Sequence, residues 1–211
     1  MRRTLTAAAL AAALALSLAT PAAADLSVLR RAELSARLYE AGIAGADPLL
    51  IIAAARLRKS FAPQPGGPRP VTPGPGAADP PMGWAEMLTA ALDLAPADEV
   101  IAMLVEDLRA ESARGVITGP IYGLSTLAPG RADVFEGLDF RGGEYAEIYV
   151  EAKGRSDMKL FVEDAQGRLV CSDTDASHIA YCGWRPAATA RFTVRVENRG
   201  PLATGYALMT N

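Results

Sequence analysis

Residues 144–152 (EYAEIYVEA), 157–164 (DMKLFVED) and 190–198 (ARFTVRVEN) decide the fold. In each stretch apolar and polar side chains alternate with a period of two, which is typical of a β-strand with one buried face. The apolar positions are Ala146, Ile148 and Val150, then Met158, Leu160 and Val162, then Phe192, Val194 and Val196. A sheet with one apolar face needs a cover, and a second antiparallel sheet would supply it. The pattern therefore predicts a β-sandwich.

Turn signals divide the C-terminal half into about seven or eight short strands. They lie at Gly130, 141–143, 164–167 and 198–201, at intervals typical of sandwiches. We therefore predict an α+β protein, in which an N-terminal helical unit of about four helices precedes an antiparallel, jelly-roll-like β-sandwich over residues 117–211.

The first 24 residues have the three parts of a signal peptide. Arg2 and Arg3 form a charged region, residues 7–19 are an apolar Ala/Leu run, and Thr20 to Ala24 provide an A-x-A cleavage site. The apolar run is shorter than a bilayer-spanning helix requires, so an uncleaved anchor is the weaker interpretation. We predict an exported protein, periplasmic or extracellular, whose mature chain begins at Asp25.

Helical periodicity predicts two helical hairpins, over residues 25–60 and 84–115. Asp47-Pro48 has the chemistry of a helix start, because Asp caps free N–H groups and Pro loses nothing at the first helical position. Gly115 is the expected end of the fourth helix.

Residues 61–83, between the hairpins, contain eight prolines and five glycines. This composition predicts an exposed, semi-extended linker without secondary structure, which proteases would cut first. A proline-rich ligand for an SH3-type domain is an alternative function for the same residues.

The charge of the chain is mildly acidic. Two of its 21 basic residues, Arg2 and Arg3, lie in the predicted signal peptide. The mature chain therefore has 19 basic and 24 acidic residues, and its net charge is −5. No basic cluster is present, so we expect no nucleic-acid partner. No other apolar run approaches the length of a membrane span, so we do not expect the chain to be an integral membrane protein. Oligomeric state has no signature in the sequence.

Three motifs in the C-terminal half resemble the bacterial pre-peptidase C-terminal domain, a small β-sandwich appended to secreted proteins. They are residues 127–135 (LAPGRADVF), residues 156–162 (SDMKLFV) with the Gly167 turn, and residues 191–196 (RFTVRV) with 205–208 (GYAL). The resemblance implies an extracytoplasmic accessory or binding module without catalytic activity. Lys159 occupies a position where the family often has a second acid after Asp157, which disfavours a metal site there.

Cys171 and Cys182 are the only cysteines, and in an exported chain a pair of cysteines is expected to form a disulfide. The bridge would close a ten-residue loop. A zinc site is the competing interpretation, but two sulfurs and His178 leave a tetrahedral ligand set incomplete.

Three acids around this hairpin, Asp164, Asp173 and Asp175, are candidate ligands for calcium, which requires hard oxygen donors. The alternative is that they form side-chain hydrogen bonds in turns. No other cofactor is indicated by the sequence.

The loop of residues 172–181 is the candidate binding surface. A disulfide would hold its two ends, and a preorganised loop loses little entropy on binding. We predict that a protein or glycan of the cell envelope is contacted by Asp173, Asp175, His178, Tyr181 and Trp184. Tyr145, Tyr149, Tyr181 and Trp184 could also form an aromatic sugar-binding or partner-binding surface, with half of the four expected in the core instead. The alternative is a polar connection without function.

No catalytic residue is assigned. His178 is the only histidine, and neither a GxSxG nor an HExxH motif accompanies it. The preferred function is therefore a secreted or periplasmic, non-catalytic binding protein. An enzyme of unrecognised type and a purely structural envelope protein are the alternatives.

Overall fold

The computed structural model describes residues 26–61, 63–72, 74, 78–111, 120–154 and 156–211. The predicted signal peptide and the predicted helix end at Gly115 lie outside these residues. The helices are α1 (Val28–Gly45), α2 (Pro48–Lys59), α3 (Trp84–Leu94) and α4 (Glu99–Ala110). The strands are β1 (Gln64–Pro65), β2 (Ile121–Leu127), β3 (Ala132–Phe140), β4 (Ala146–Ala152), β5 (Met158–Asp164), β6 (Leu169–Asp173), β7 (Ile179–Trp184), β8 (Ala190–Asn198) and β9 (Thr204–Thr210).

Side-chain caps define where the helices begin. The Asp47 carboxylate accepts hydrogen bonds from the backbone N–H groups of Leu49 and Leu50, and Pro48 is the first residue of α2, as predicted. Ser27 caps α1 and Asp98 caps α4 in the same way. Among the described residues, no helix combines the length and apolar character that crossing a bilayer requires.

The strands β2 to β9 form a sandwich of two antiparallel sheets. One sheet has the order β1-β2-β9-β4-β7 and the other has the order β3-β8-β5-β6. Successive strands change sheet except at the β5–β6 hairpin, and the two four-strand orders β2-β9-β4-β7 and β3-β8-β5-β6 are those of a jelly roll, so the predicted fold class is confirmed. The antiparallel pairing of β3 with β8 has seven residue pairs and is interrupted by a register shift between Phe135 and Leu138.

The core between the sheets consists of the predicted inward-facing residues. Ile148, Leu160 and Val194 are fully buried in it. An aromatic cluster closes one end, where the ring of Trp184 lies edge-on to Phe140 at 4.9 Å and to Phe192 at 5.3 Å between centroids.

The helices form a third layer on the outer face of the five-stranded sheet. All seven residues of β4 are buried, because α1 covers the face opposite the sandwich core. Leu29, Ala32 and Ala36 of α1 pack there against Tyr149 and Met209. The prediction of a sheet with one covered face is therefore wrong for β4. Its alternating polar residues lie under a helix rather than in solvent.

A second helical core lies farther from the sheet. Ile51 and Ala55 of α2 pack there against Met87 and Leu88 of α3 and Val105 of α4. The helical unit is thus held together by its own apolar contacts and is attached to the sandwich mainly through α1.

The described part of the proline-rich stretch touches both sheets of the sandwich, and its residues 64–65 form a strand, which differs from the prediction of a linker without secondary structure. Gln64–Pro65 pairs in parallel with β2 as strand β1, and the Val71 amide donates to the Val134 carbonyl of β3 at 2.8 Å. We call residues 63–83 the strap. It runs from the edge of one sheet to the edge of the other, and glycines permit the approach. A Cβ on Gly123 of β2 would overlap with the Pro68 carbonyl oxygen.

The predicted disulfide between Cys171 and Cys182 is confirmed, with 5.9 Å between the two Cα atoms. Cys171 lies on β6 and Cys182 on β7, which are edge strands of different sheets. The bridge therefore joins the two sheets on the side opposite the strap.

Candidate functional site

A cleft of about 470 Å³ opens where the helical unit meets the sandwich. One wall comes from the C-terminal half of α1 and the start of α3. The other comes from the end of β4, the chain that follows it, and the loop between β6 and β7. The lining residues include Tyr39, Glu40, Ile43, Met82, Met87, Lys153, Ser156, Ala176 and His178. A concave site of this size with an apolar lining and a few polar groups is the usual form of a binding site.

Two pairs of polar side chains connect the helical unit to the sandwich at the cleft. The Lys153 ammonium of the sandwich lies 3.2 Å from the Glu86 carboxylate of α3. His178 Nδ1 lies 3.7 Å from Glu40 Oε2 of α1, which is beyond direct hydrogen-bonding distance. Lys153 and His178 therefore belong to the sandwich, and the two carboxylates belong to the helical unit.

The second oxygen of Glu86 also caps α3. It accepts a 2.7 Å hydrogen bond from the Gly83 amide, which contributes most to lowering the pKa of this carboxyl, and Lys153 lowers it further. Tyr39 lies on the same wall. Burial, with a smaller contribution from the Glu86 charge, raises the pKa of its hydroxyl.

The floor of the cleft rests on a buried polar network. Glu151 of β4 accepts from the Arg58 guanidinium of α2 at 2.8 Å and from the Tyr149 hydroxyl at 2.8 Å. Arg58 also donates to the Ser35 hydroxyl of α1 at 3.2 Å. Burial by itself would lower the pKa of Arg58, but Glu151 and Tyr149 together outweigh burial and raise the pKa. The network fixes two helices on one strand, and it thereby sets the width of the cleft.

A second buried carboxylate, Glu147 of β4, accepts a 2.6 Å hydrogen bond from the Tyr181 hydroxyl and another from the Ser27 hydroxyl. The Arg30 guanidinium stacks 3.6 Å from the centre of the Tyr181 ring. Tyr181 therefore has a structural role between α1 and the sheet. Burial and its hydrogen bond to Glu147 raise the pKa of its hydroxyl well above the usual range.

The predicted contact surface is only partly assembled. Its loop is shorter than residues 172–181, because β7 already begins at Ile179. Trp184 is only 8% exposed and lies in the sandwich core, and Tyr181 is buried under α1. Of the five predicted residues, His178 is the one that lines the cleft.

The two predicted loop aspartates hold the loop in place. The Asp173 carboxylate accepts from the Tyr181 and Asp175 amides at 2.9 and 3.2 Å. The Asp175 carbonyl accepts from the Lys159 ammonium at 3.0 Å. Asp173 therefore has the side-chain role in turns that the sequence left open as an alternative, whereas Asp175 takes part through its backbone.

The structure does not bring the predicted calcium ligands together. Asp173 pairs with Leu160, four positions before Asp164 on β5, so the two carboxylates are separated by roughly 13 Å of strand. The Asp164 carboxylate instead accepts from Arg168 at 2.7 Å across its turn. No group of three or more His, Cys, Asp or Glu side chains suited to a metal occurs in the described part of the chain.

The predicted aromatic sugar-binding surface is wrong in most of its residues. Tyr149, Tyr181 and Trp184 are buried, which leaves Tyr145, 43% exposed, at the surface. A flat stacking surface of several aromatic side chains is therefore not formed by these four residues.

Sequence reasoning missed Glu40, Glu86, Lys153 and Ile43 as site residues. Each lies on an ordinary amphipathic helix or at a strand end, where a charge or an exposed apolar residue has no distinctive pattern. They share a site only because α1 and α3 pack beside the end of β4, and a single sequence does not indicate that packing.

Comparisons with known proteins concern the sandwich. The chain matches no protein-family model and no curated protein. Among solved structures, the pre-peptidase C-terminal domain of collagenase from Bacillus anthracis matches with a TM-score of 0.38 and 12% identity, over 43% of this chain and 87% of that one.

Two other structures match similarly. The Yersinia pseudotuberculosis-derived mitogen has a TM-score of 0.36 and 12% identity, over 45% of this chain and 86% of its own. Aeromonas hydrophila PliG, a periplasmic inhibitor of g-type lysozyme, has a TM-score of 0.31 and 13% identity, over 44% and 86%. These similarities concern strand arrangement and assign no activity or partner. The C-terminal half is similar to a pre-peptidase C-terminal domain, as its sequence motifs implied.

Proposed function

We propose that this protein is an exported, non-catalytic binding protein, and that it binds a segment of a partner protein in the cleft between its helical unit and its sandwich. The observation that supports this most strongly is the cleft itself. It combines an apolar lining, to which Ile43 and Met82 contribute, with a charged side chain on each wall, Glu40 on the helical wall and Lys153 on the sandwich wall.

The chemistry of the lining favours a peptide over a glycan. Methionine side chains adapt to irregular apolar partners, and they are frequent at surfaces that bind peptide segments. Ile43 is 45% exposed at the edge of the cleft, which leaves apolar area for a partner to cover. Glycan binding would instead use stacked aromatic surfaces, and of the predicted aromatic set only Tyr145 is exposed.

A binding role is also favoured over an enzymatic one by the contacts of His178. Its nearest ionic neighbour is Glu40 at 3.7 Å. The Ser156 hydroxyl lies in the same lining but makes no hydrogen bond, so it is not joined to His178 as a nucleophile is joined to its base.

Export is supported by two independent features. The first 24 residues have the pattern of a signal peptide, and Cys171 and Cys182 form a disulfide, a bond that persists in oxidising compartments. The sequence of the mature N-terminus, determined on protein from envelope and culture-medium fractions, tests the cleavage after Ala24 and the compartment together.

Site-specific photo-cross-linking tests the binding site. A photoreactive phenylalanine analogue replaces Ile43 in the cleft, and a control places it at Leu169, an apolar residue on β6 that is more exposed than Ile43, at 59% against 45%. The proteins are expressed in the species that encodes them and irradiated. We expect a discrete cross-linked partner from position 43 and none from position 169.

A blocking variant makes this test specific. Ala176→Trp narrows the cleft from the wall opposite Ile43, and it should abolish the cross-link while the melting temperature stays unchanged. Equal cross-linking from both positions, or a cross-link that survives Ala176→Trp, would place the binding surface elsewhere.

A further inference from the structure

We infer that the helical unit has a second interaction surface, at the end opposite Lys59, and that this surface binds a cationic amphipathic helix of another protein. The surface consists of four large apolar residues from three helices: Leu49, Leu94, Val100 and Met103. We call these four residues the apolar pole. None of them lines the cleft, so the inference goes beyond the proposed function and does not depend on it.

The contacts of Lys59 place the four residues at one end of the helical unit. Lys59 is the last residue of α2, and its ammonium lies 4.5 Å from the ring centre of Trp84, the first residue of α3. The same ammonium donates to the Arg109 carbonyl near the end of α4 at 3.2 Å. Helix α2 therefore ends where α3 begins and where α4 ends. Because the three helices have 12, 11 and 12 residues and share one core, their opposite ends, which carry the apolar pole, also lie together.

The apolar pole is open to solvent. Its residues are between 40% and 59% exposed, whereas Ile51, Ala91 and Ile101, in the adjoining turns of the same helices, are buried in the helical core. Val100 and Met103 are three positions apart on α4, so their side chains are neighbours on one face. This spacing forms a ridge against which a second helix can pack. A partner that covers the apolar pole removes its apolar surface from water, which favours binding.

The charges around the apolar pole are acidic. Residues 38–55 and 84–108, which contain the pole, have no Lys or Arg. Three exposed carboxylates border the pole, and none of them forms an ion pair within the described part of the chain: Asp93, Glu99 and Asp107. The first two adjoin a pole residue in the sequence, and the third lies one helical turn after Met103.

This combination of apolar and acidic groups favours one kind of occupant. A second copy of the chain would bring two acidic surfaces together, and an anionic membrane surface would repel the three carboxylates. A helix with an apolar stripe between Lys or Arg residues would instead cover the apolar pole and place its cations beside these carboxylates. The apolar stripe would supply most of the affinity, and the charges would fix the orientation of the helix and exclude acidic helices.

Fluorescence anisotropy with labelled model helices, at physiological salt, tests the inference. The first probe is a peptide of about 14 residues made of alanine, leucine and lysine, with its leucines on one helical face. The second probe has glutamate in place of every lysine. We expect the lysine peptide to bind the protein and the glutamate peptide not to bind. Failure of the lysine peptide to bind would overturn the inference.

Variants at the surface locate the bound peptide. Met103→Ser within the apolar pole and Asp107→Lys at its border should each weaken binding of the lysine peptide by about tenfold. Leu169→Ser is the control for the apolar change, because Leu169 on β6 is exposed to the same extent as Met103. Glu136→Lys, at an exposed position of β3, is the control for the charge reversal. Both controls should leave the affinity unchanged, and the melting temperatures of all four variants should match that of wild type.

The remaining outcomes separate the apolar pole from the cleft and from other occupants. Binding that is lost in Ala176→Trp but kept in Met103→Ser would place the peptide in the cleft, and it would overturn the inference while supporting the proposed function. Equal weakening by Glu136→Lys and Asp107→Lys would indicate attraction to net charge alone and would overturn it too. A dimer in sedimentation that dissociates in Met103→Ser would assign the surface to a second copy and contradict the inference.

Discussion

At the scale of single residues, the least replaceable contact is the pair of Arg58 and Glu151. Both side chains are less than 5% exposed, and the pair joins α2 to β4. Removing one member leaves the other charge buried without a partner, which strongly lowers the free energy of unfolding. This loss is larger than the stability that the intact pair adds over two apolar residues of similar size.

Arg58→Met should therefore lower the free energy of unfolding by about 3 to 5 kcal/mol. Arg56→Met is the matched control, because Arg56 lies on the same helix and pairs with Glu111 in solvent, with side chains 71% and 48% exposed. The control should change stability by less than about 1 kcal/mol. Urea unfolding of both variants measures the difference, and equal losses would contradict the role assigned to the buried pair.

Single residues also show what a sequence can and cannot predict. The Asp47 cap was predictable because it depends only on neighbouring residues. The disulfide was predictable because the chain has two cysteines, which can pair in one way. Trp184 and Tyr181 were misplaced, because both faces of β7 are buried: Trp184 faces the second sheet and Tyr181 faces α1. A strand covered on both sides loses the polar alternation that would have identified it.

At the scale of elements, Glu86 connects the start of α3 to the cleft through its hydrogen bond with Gly83 and its ion pair with Lys153. Its pKa is lower in the folded protein than in the unfolded chain. The stabilisation it provides is therefore fully present above the unfolded glutamate pKa of about 4.3, and it is lost as the pH falls through the lowered folded value.

Glu86→Gln tests that pH dependence. The glutamine still offers an oxygen to the Gly83 amide but does not titrate. We expect wild type to be more stable than the variant at neutral pH, and we expect the difference to shrink as the pH falls through the acid range. Thermal unfolding of both proteins across this range measures it, and a difference independent of pH would contradict the account.

The strap is the element that sequence reasoning described least well. Its composition predicted a fully solvated segment. Glycines in the strap and in β2 instead let the two backbones approach each other, and a contact between backbones has no apolar sequence pattern that would predict it. Gly67 and Gly123 meet at the edge of β2, where the Gly67 amide donates to the Tyr122 carbonyl at 2.9 Å. The jelly roll was predictable because its inward-facing residues do alternate.

Gly123→Ala should detach the strap, since the added methyl group would overlap with the Pro68 carbonyl oxygen. We expect wild-type strap to resist limited proteolysis and the variant strap to be cleaved within residues 63–83. Gly45→Ala is the control, because no atom lies within 4 Å of its added Cβ. Rapid cleavage of the wild-type strap would restore the interpretation as a solvated linker.

At the scale of the whole molecule, two ties close the sandwich, with the strap beside β2 and β3 and the disulfide between β6 and β7. Loop-closure entropy for cysteines separated by 11 positions corresponds to about 3 kcal/mol. In urea unfolding, the free energy of unfolding of the oxidised protein should be larger than that of the reduced protein by this amount. In a variant with both cysteines replaced by alanine, the reductant should leave the free energy of unfolding unchanged. A wild-type protein whose stability is equally unaffected by reductant would contradict a stabilising role of the disulfide.

The helices and the sandwich together form the proposed binding site, which no motif in either half indicates. Hydrogen-exchange mass spectrometry, with and without the partner recovered by cross-linking at Ile43, tests it most directly. We predict that binding slows exchange in α1 near residues 39–44 and in the loop of residues 174–178 together. Slower exchange confined to one of the two walls, or to the outer face of the four-stranded sheet, would contradict the account.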